Sequence, residues 1–501
     1  MPLTQDIKDL IEHDNSGARR LLHRAVEEMP QSVEARFFLA QAYLRRMEVT
    51  TALPLYMAVA EHQERAVDAL HAVGYCHLAL GDYESALAAY RRAFAKTATA
   101  HSLGLSALVL HRMNRLGEAI AAYDKLLRSA KKASPTIPAA LQGMVMALRD
   151  AGRAVEAEPY VADLLARFRA GGAAIAMPLI DRNGALDFHE WWPLEDKSNL
   201  AQAVNRFAAC EAENPLVPET FILPRQRDAL ARFASKDPGT IFIVKPNNGT
   251  GGQGITVTRD LAALIDRRDV VVQRYVDHPY LIDGRKGHAR IYGLIASADP
   301  LRAYVYEEGI VRFAPARYDP RSDHLGDNAM HVTNTALHRG HPGLIVSQDS
   351  AREDEGVIWS LSAALRRMTQ DGVDGVEVFA KIVKLVRWFV RMVASEGLFA
   401  RQAKSAPRRA FTPKLFGLDV LIDAKGDPWL IEMQVKPAAG GAPLVMKING
   451  ELFATVLRMS VGHLFDPAKG ALTALGEAEC LRREYAVETT NRGRFRPLDF
   501  G

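Results

Sequence analysis

Along the first third of the chain the apolar positions return with a helical period, and that arrangement itself repeats. Small residues stand at Ala18, Ala52, Ala86 and Ala119, in steps of 34, 34 and 33 residues, and an aromatic follows four positions later at Tyr56, Tyr90 and Tyr123. The best-formed copy reads GYCHLALGDYESALAAYRRAF, with Gly74, Gly81, Ala86, Tyr90 and Ala93 at regular places. A divergent copy with Gly152 and Ala157 follows an insertion rich in Lys, Ser and Pro, Lys131 to Pro138. A helix pair of this kind cannot bury its own apolar face, so copies stack: small residues admit the next helix and the aromatic fills the gap. The pattern predicts an all-α array over residues 1–170 with the three tyrosines in its core.

The helical period stops between Gly171 and Asn199, which reads as a linker that packs Trp191 and Trp192 against a second domain. Beyond it, short β-branched runs predict a mixed α/β unit over residues 200–466, followed by a C-terminal helix and basic tail over 467–501. One pair of runs, IFIVKP and ITVTRD, encloses NNGTGGQG. Gly249, Gly251 and Gly254 formally match G-x-G-x-x-G, but a dinucleotide fingerprint must open a helix and here the strand Thr256-Val257-Thr258 follows. A strand, a glycine loop that also contains Gly252, and a second strand instead make a flap whose backbone N–H groups fold over nucleotide phosphates. Lys245, at the strand end, is placed to neutralise one of them.

A second hairpin carries paired acids. FGLDVLID and PWLIEMQV flank a turn at Lys425-Gly426, and pairing Ala424 with Asp427 would set Asp419 opposite Glu432. Opposed Cβ atoms lie about 4.5–5.5 Å apart on one face. Gln434 shares that face by the period of two. Two carboxylates so close call for a cation between them, and an oxygen-only donor set beside nucleotide phosphates suits magnesium. Elsewhere Lys286, His288 and Arg290 alternate along one strand and so share a face.

Composition narrows the picture. A chain of 501 residues is too long for one core, and 48% hydrophobic with 24% charged residues is ordinary for a soluble protein. A net charge of +4 spread over this length gives no ground for a nucleic-acid partner. The three cysteines, Cys76, Cys210 and Cys480, lie far apart, which excludes a disulfide framework and fits a reducing compartment. The N-terminus has no apolar signal region, and no stretch approaches the roughly 20 apolar residues of a membrane span. The expectation is a cytoplasmic protein with no membrane partner.

The repeat pattern resembles the tetratricopeptide repeat, whose concave surface grips peptides or proteins. In the second unit, PETFILP (Pro218 to Pro224), VVVQRYVDHPYLIDGRKGHARIYGLIAS (Val270 to Ser297), YVYEEGIVRFA (Tyr304 to Ala314), HVTN (His331 to Asn334) and FGLDVLIDAKGDPWLIEMQVKP (Phe416 to Pro437) follow one another as in the tubulin tyrosine ligase family. The chain resembles that family over roughly residues 190 to 465. The resemblance implies an ATP-grasp fold and an ATP-dependent ligase that joins an amino acid or amine to a carboxylate, on a protein or peptide, through an acylphosphate. It also implies roles: Gln273, Arg274 and Val276 line the adenine, with Tyr275 a buried strand end. Lys245, Gly251, Gly252, Lys286, His288 and Thr333 belong to the nucleotide site. Arg290 and Arg312 act on the transferring phosphoryl group, and Asn334 stands near the acceptor, while His331 is structural. Asp419, Glu432 and Gln434 hold the magnesium. The basic loop 401–414 faces an acidic protein tail. The sequence departs from the family at His288, Gln434 and Glu307, where aspartate, asparagine and arginine are usual. The competing reading is a repeat adaptor with a regulatory or degenerate ATP-grasp site.

Overall fold

A computed structural model describes residues 16–500 apart from 46–47, 131–133, 135, 164–193, 195, 211–216, 248–251, 299, 322–323, 398–413, 435–440, 462–485 and 487. Two compact units are present, one centred on the repeats and one on the mixed segment.

The first unit contains α1 (Ser16–Glu28), α2 (Val33–Arg45), α3 (Val49–Ala60), α4 (Ala66–Ala79), α5 (Tyr83–Thr97), α6 (Ala100–Arg112), α7 (Leu116–Ser129) and α8 (Ile137–Asp150), each packed on the next. The turn between α4 and α5 shows how the sequence sets it. Gly81 takes a left-handed φ of +78°, and Asp82 caps α5 by accepting the Ser85 N–H at 3.1 Å. Ala52, Ala86 and Ala119 have no exposed surface, and Tyr56, Tyr90 and Tyr123 are buried. Tyr90 of α5 lies on Gly74 of α4 so closely that a Cβ there would come within 2.4 Å of the ring. Tyr123 covers Gly143 of α8 in the same way. The repeating small residues thus serve helix approach, as the pattern predicts.

The second unit holds two antiparallel sheets. In the smaller, the order is β1 (Thr220–Leu223), β4 (Val270–Arg274), β2 (Phe242–Pro246), β3 (Thr256–Thr258). Strands β2 and β3 pair across the glycine loop, Val244 opposite Thr256, so the loop joins two strands and opens no helix. The larger sheet runs β10 (Pro428–Gln434), β9 (Lys414–Ile422), β6 (Arg285–Ala298), β7 (Leu301–Phe313), β11 (Phe495–Pro497), with β5 (Leu281–Ile282) on β6 and β8 (Ile358–Ser360) on β7. Strand β11 pairs with Tyr304 to Tyr306, so the end of the basic tail is part of this sheet. Lys414, expected as the last residue of the basic loop 401–414, is instead the buried first residue of β9. The β-branched and apolar run that follows it forms a central strand, and Lys414 belongs to that strand.

Further α-helices are α9 (Lys197–Ala208), α10 (Arg227–Lys236), α11 (Leu261–Ile265), α12 (Asn328–His331), α13 (Leu361–Gln370), α14 (Gly375–Ser395) and α15 (Pro443–Val461). The apolar stripe of α14, Val378, Ile382, Leu385, Phe389 and Val393, is buried, with Phe389 against Phe416 of β9 at 5.5 Å between centroids. Each such side chain contributes about 1.5–3 kcal/mol on burial. That backing holds β9 in place beneath the candidate site. A helical repeat region followed by a mixed helix and sheet unit is the class the sequence predicts.

Candidate functional site

The acidic hairpin does not turn as expected. Asp423, not Ala424, pairs with Asp427, its N–H donating to the Asp427 carbonyl at 3.0 Å, while the Ala424 N–H is drawn to the His278 carbonyl at 2.9 Å. Ile422 therefore faces Pro428, one residue away from the register predicted. A bulge at Ile431 then inserts one residue, so that Glu432 stands opposite Asp419 and Gln434 opposite Gly417. The bulged Ile431 turns its carbonyl to another use and accepts from Lys245 Nζ at 3.4 Å.

Arg290 stands opposite Asp419 across β6 and β9. Its Nε donates to Oδ1, and its Nη2 to Oδ2 at 3.0 Å. The side chain reaches the carboxylate by lying over Gly417, where a Cβ would meet Arg290 Cδ at 2.8 Å. Burial alone would raise the Asp419 pKa, but Arg290, with His288 and Arg312 behind it, holds the carboxyl at about 2. Burial works against the Arg290 charge as well, and Asp419 more than offsets it, so its pKa is raised.

Arg312 on β7 faces His288. Its Nη1 is buried without a hydrogen-bond partner, and burial together with the adjacent Arg290 lowers its pKa. A buried donor left unpaired is costly, and an anionic oxygen is the strongest partner it can take. Burial pushes the His288 pKa down to about 4, so the ring is neutral near pH 7. Its Nδ1 lies 2.5 Å from Thr333 Oγ1 and its Nε2 3.8 Å from Asp419 Oδ1. A hydroxyl donating to Nδ1 leaves the Nε2–H directed at the carboxylate.

Two buried lysines complete the cationic side. Lys245 Nζ donates to Gln273 Oε1 at 2.8 Å, and Gln273 Nε2 donates to Thr220 Oγ1 at 2.9 Å. Burial lowers the Lys245 pKa to about 8. Lys286 Nζ donates to the Tyr275 hydroxyl at 2.9 Å and the His331 carbonyl at 3.1 Å, 4.1 Å above the tyrosine ring. Burial first, then Lys245, lowers its pKa to about 7. His331 anchors this platform: Nδ1 lies 2.9 Å from the Tyr275 hydroxyl and Nε2 3.1 Å from the His324 carbonyl.

Other expected residues stand apart from this cluster. The Arg274 guanidinium is turned to Glu219 at 2.7 Å and lies over the Trp429 ring. Val276 is half-buried beyond the end of β4. Asn334 Oδ1 accepts the Ala336 N–H at 3.0 Å and caps a short turn. Gly252, at φ +82°, presses on Val332 and Asn334, where a Cβ would lie 3.2 and 3.3 Å away. Gly251, Trp191, Trp192 and residues 401–413 of the basic loop lie outside the described residues.

Three participants escaped the sequence reading. Thr220 holds the far end of the Gln273 amide, and Gly417 admits Arg290. Lys197, on α9, lies 3.3 Å from Glu432 Oε1. Asp196 ahead of Lys197 is a readable helix cap, but nothing local announces which carboxylate the lysine meets.

Among the described residues no group of three or more His, Cys, Asp and Glu is arranged to hold a metal. The Asp419 and Glu432 carboxylates, opposed across the hairpin, and the Gln434 amide two residues on are oxygen donors of the hard type that magnesium takes, a few from the protein and the rest from phosphate and water. A cavity lined by Lys245, Gln273, Ile431, Glu432, Leu200 and Val271 opens beside them. The ensemble sets largely buried cations beside an acidic wall, a charge arrangement suited to a polyanion and its counter-ion. No helix among the described residues is long and apolar enough to cross a membrane.

A family model described as the tubulin-tyrosine ligase family matches residues 183–468, and tetratricopeptide repeat models match 12–69, 49–101 and 74–136. The chain is 34% identical over 260 residues to human tubulin polyglutamylase TTLL5, covering 52% of this chain and 20% of that protein. Human tubulin monoglutamylase TTLL4 is 32% identical over 264 residues, 52% of this chain and 22% of that protein. Caenorhabditis elegans tubulin polyglutamylase ttll-5 is 30% identical over 290 residues, with 54% and 39% covered. The chain therefore spans well under half the length of these relatives.

Proposed function

The chain belongs to the tubulin-tyrosine ligase family, and on that premise we propose that it is an ATP-dependent ligase that joins an amino acid to a carboxylate on a protein. The observation that carries the reading is the charge arrangement: Lys245, Lys286, Arg290 and Arg312 form one electrostatically linked cluster about Asp419, and the buried Nη1 of Arg312 has no hydrogen-bond partner. The names of the relatives, polyglutamylases and a monoglutamylase, favour glutamate as the amino acid.

In the proposed reaction a carboxylate oxygen of the acceptor attacks the γ-phosphorus of ATP. The bond to the β–γ bridging oxygen breaks, and ADP leaves. The amine nitrogen of the amino acid then attacks the acyl carbon, the bond to phosphate breaks, and the amine proton passes to solvent as inorganic phosphate departs. Lys245, fixed by Gln273, and Lys286, fixed by Tyr275, bind the α and β phosphates. Arg290 and Arg312 offer preorganised donors to the transferring group, where electrostatic stabilisation is worth most. Asp419, Glu432 and Gln434 would hold magnesium, which supplies neutralisation of phosphate charge when bound. Neutral His288 takes the place of a carboxylate beside Thr333 and spares the cleft one negative charge. The repeat unit recruits the protein acceptor.

The test is incubation of the full chain with ATP, magnesium, isotopically labelled glutamate and cell lysate, followed by mass spectrometry. ATP-dependent label in amide linkage to glutamate side chains of a protein is expected. Nucleotide binding with no amino acid incorporated from any labelled pool would favour the adaptor reading.

A further inference from the structure

The glycine loop and the acidic hairpin are joined by a clamp that neither the repeat pattern nor the ligase motifs contain. Asn247 follows Lys245 and Pro246 at the root of the loop. Its Oδ1 accepts from the Ser198 N–H at 2.8 Å and the Ser198 hydroxyl at 2.5 Å, and its Nδ2 donates to Asp196 Oδ2 at 2.6 Å. Its own N–H is held by the Asp269 carbonyl at 3.0 Å. Asp196 also caps α9 by accepting the Asn199 N–H at 2.9 Å. All three side-chain bonds of Asn247 therefore fix the two residues on either side of Lys197.

Lys197 is the residue so confined. Its side chain is 11% exposed, and its Nζ lies 3.3 Å from Glu432 Oε1. Glu432 also feels Lys245, which its own hydrogen bonds hold on Gln273 and on the Ile431 carbonyl. Asp419 is occupied by Arg290. Each carboxylate of the acidic wall is thus partnered by a cation of the protein itself, one from the sheet and one from α9.

We propose that Asn247 is a positioning residue: it fixes the first turn of α9 so that Lys197 neutralises Glu432 until nucleotide and metal enter, and so ties the glycine-loop root to the acidic wall. The inference rests on the reading of this cleft as a nucleotide and metal site. Geometry supports the coupling, because a side-chain amide engaged at both its oxygen and its nitrogen leaves the backbone between 196 and 198 little freedom. A lysine competing for a carboxylate weakens metal binding to the nucleotide-free protein, so release of the lysine strengthens it.

The experiment measures Mn2+ binding to the full chain without nucleotide, by electron paramagnetic resonance, for wild type, Lys197→Met, Asn247→Ala and the double variant. Lys197→Met is expected to bind Mn2+ more tightly by up to about fivefold, the scale of one partly screened charge pair. Asn247→Ala should show a similar gain, and the double variant no more than either alone. A residue that only props the fold would leave affinity unchanged or lower it. Unchanged Mn2+ affinity in Asn247→Ala, or gains that add in the double variant, overturns the proposal. Should Asn247→Ala melt below the assay temperature, Ser198→Ala removes one of the three bonds and is measured in its place. Failure of the nucleotide-site reading is seen separately, as a wild-type chain that binds no non-hydrolysable ATP analogue.

Discussion

Asp419 and Glu432 face each other across β9 and β10 only because one extra residue, Ile431, is inserted between Leu430 and Glu432. Without it, the register set at Ile422 and Pro428 would bring Ile431 opposite Asp419. The bulge aims the second carboxylate and, in the same step, presents a carbonyl to Lys245. The two carboxylates are not equivalent, however. Asp419 is engaged by a buried guanidinium, whereas Glu432 meets a lysine and is 28% exposed.

That asymmetry separates two substitutions. Glu432→Gln is expected to abolish metal-dependent ATP turnover and to lower stability to urea less than Asp419→Asn does, because Glu432 is 28% exposed and, among the described residues, makes a single ion pair, with Lys197 at 3.3 Å. Asp419→Asn should abolish turnover and also destabilise the fold by about 3 kcal/mol, because it strands the Arg290 charge in a buried setting. Equal stability of the two variants would contradict the assignment of Asp419 as the structural partner.

Gly417→Ala tests whether Arg290 must cross β9 closely. The added Cβ would lie 2.8 Å from Arg290 Cδ, so the guanidinium shifts while the strand remains. Turnover is expected to fall on the order of a hundredfold, as for a misplaced catalytic group, with little change in ATP affinity. Wild-type turnover in this variant would show that the Arg290 position is not critical.

The lysines predict a direction with pH. Burial holds Lys286 at about 7 and Lys245 at about 8 in the ligand-free protein. A bound polyphosphate favours their charged forms and raises both values, so ATP binding takes up protons between pH 7 and 9. Affinity must then fall as pH rises through that window. Calorimetry in buffers of different ionisation enthalpy measures the uptake. Proton release, or an affinity that climbs with pH, would contradict it.

The sequence carried some of this site and not the rest, for identifiable reasons. The repeat array was legible because Ala52, Ala86 and Ala119 recur at fixed steps, and the loop between β2 and β3 because a strand run follows the glycines. The alternating pattern places Asp419 opposite Glu432 only through a turn that the chain does not make, since a bulge leaves no mark in a pattern of alternating residues. The Gln273 amide that holds Lys245, and the Asn247 clamp on α9, join residues 28 and about fifty positions apart. Such contacts follow from how strands and helix pack, which no local spacing encodes.

In the repeat unit, Gly74→Ala places a methyl group 2.4 Å from the Tyr90 ring. Overpacking of this kind should destabilise the helical array by about 1–3 kcal/mol. Affinity for ATP should be unchanged, while modification of the natural protein target declines at low substrate concentration. Loss of ATP binding in a folded variant would mean that the repeats contribute to the nucleotide site.

The central claim, carboxylate activation by phosphoryl transfer, is tested most directly with an acceptor whose side-chain carboxylates carry 18O. With the protein modified in lysate as that acceptor, the account predicts one ADP per amide formed and one 18O atom in each inorganic phosphate released, because the acyl oxygen leaves with phosphorus. Amide formation with unlabelled phosphate, or ATP consumed without any amide, would contradict it.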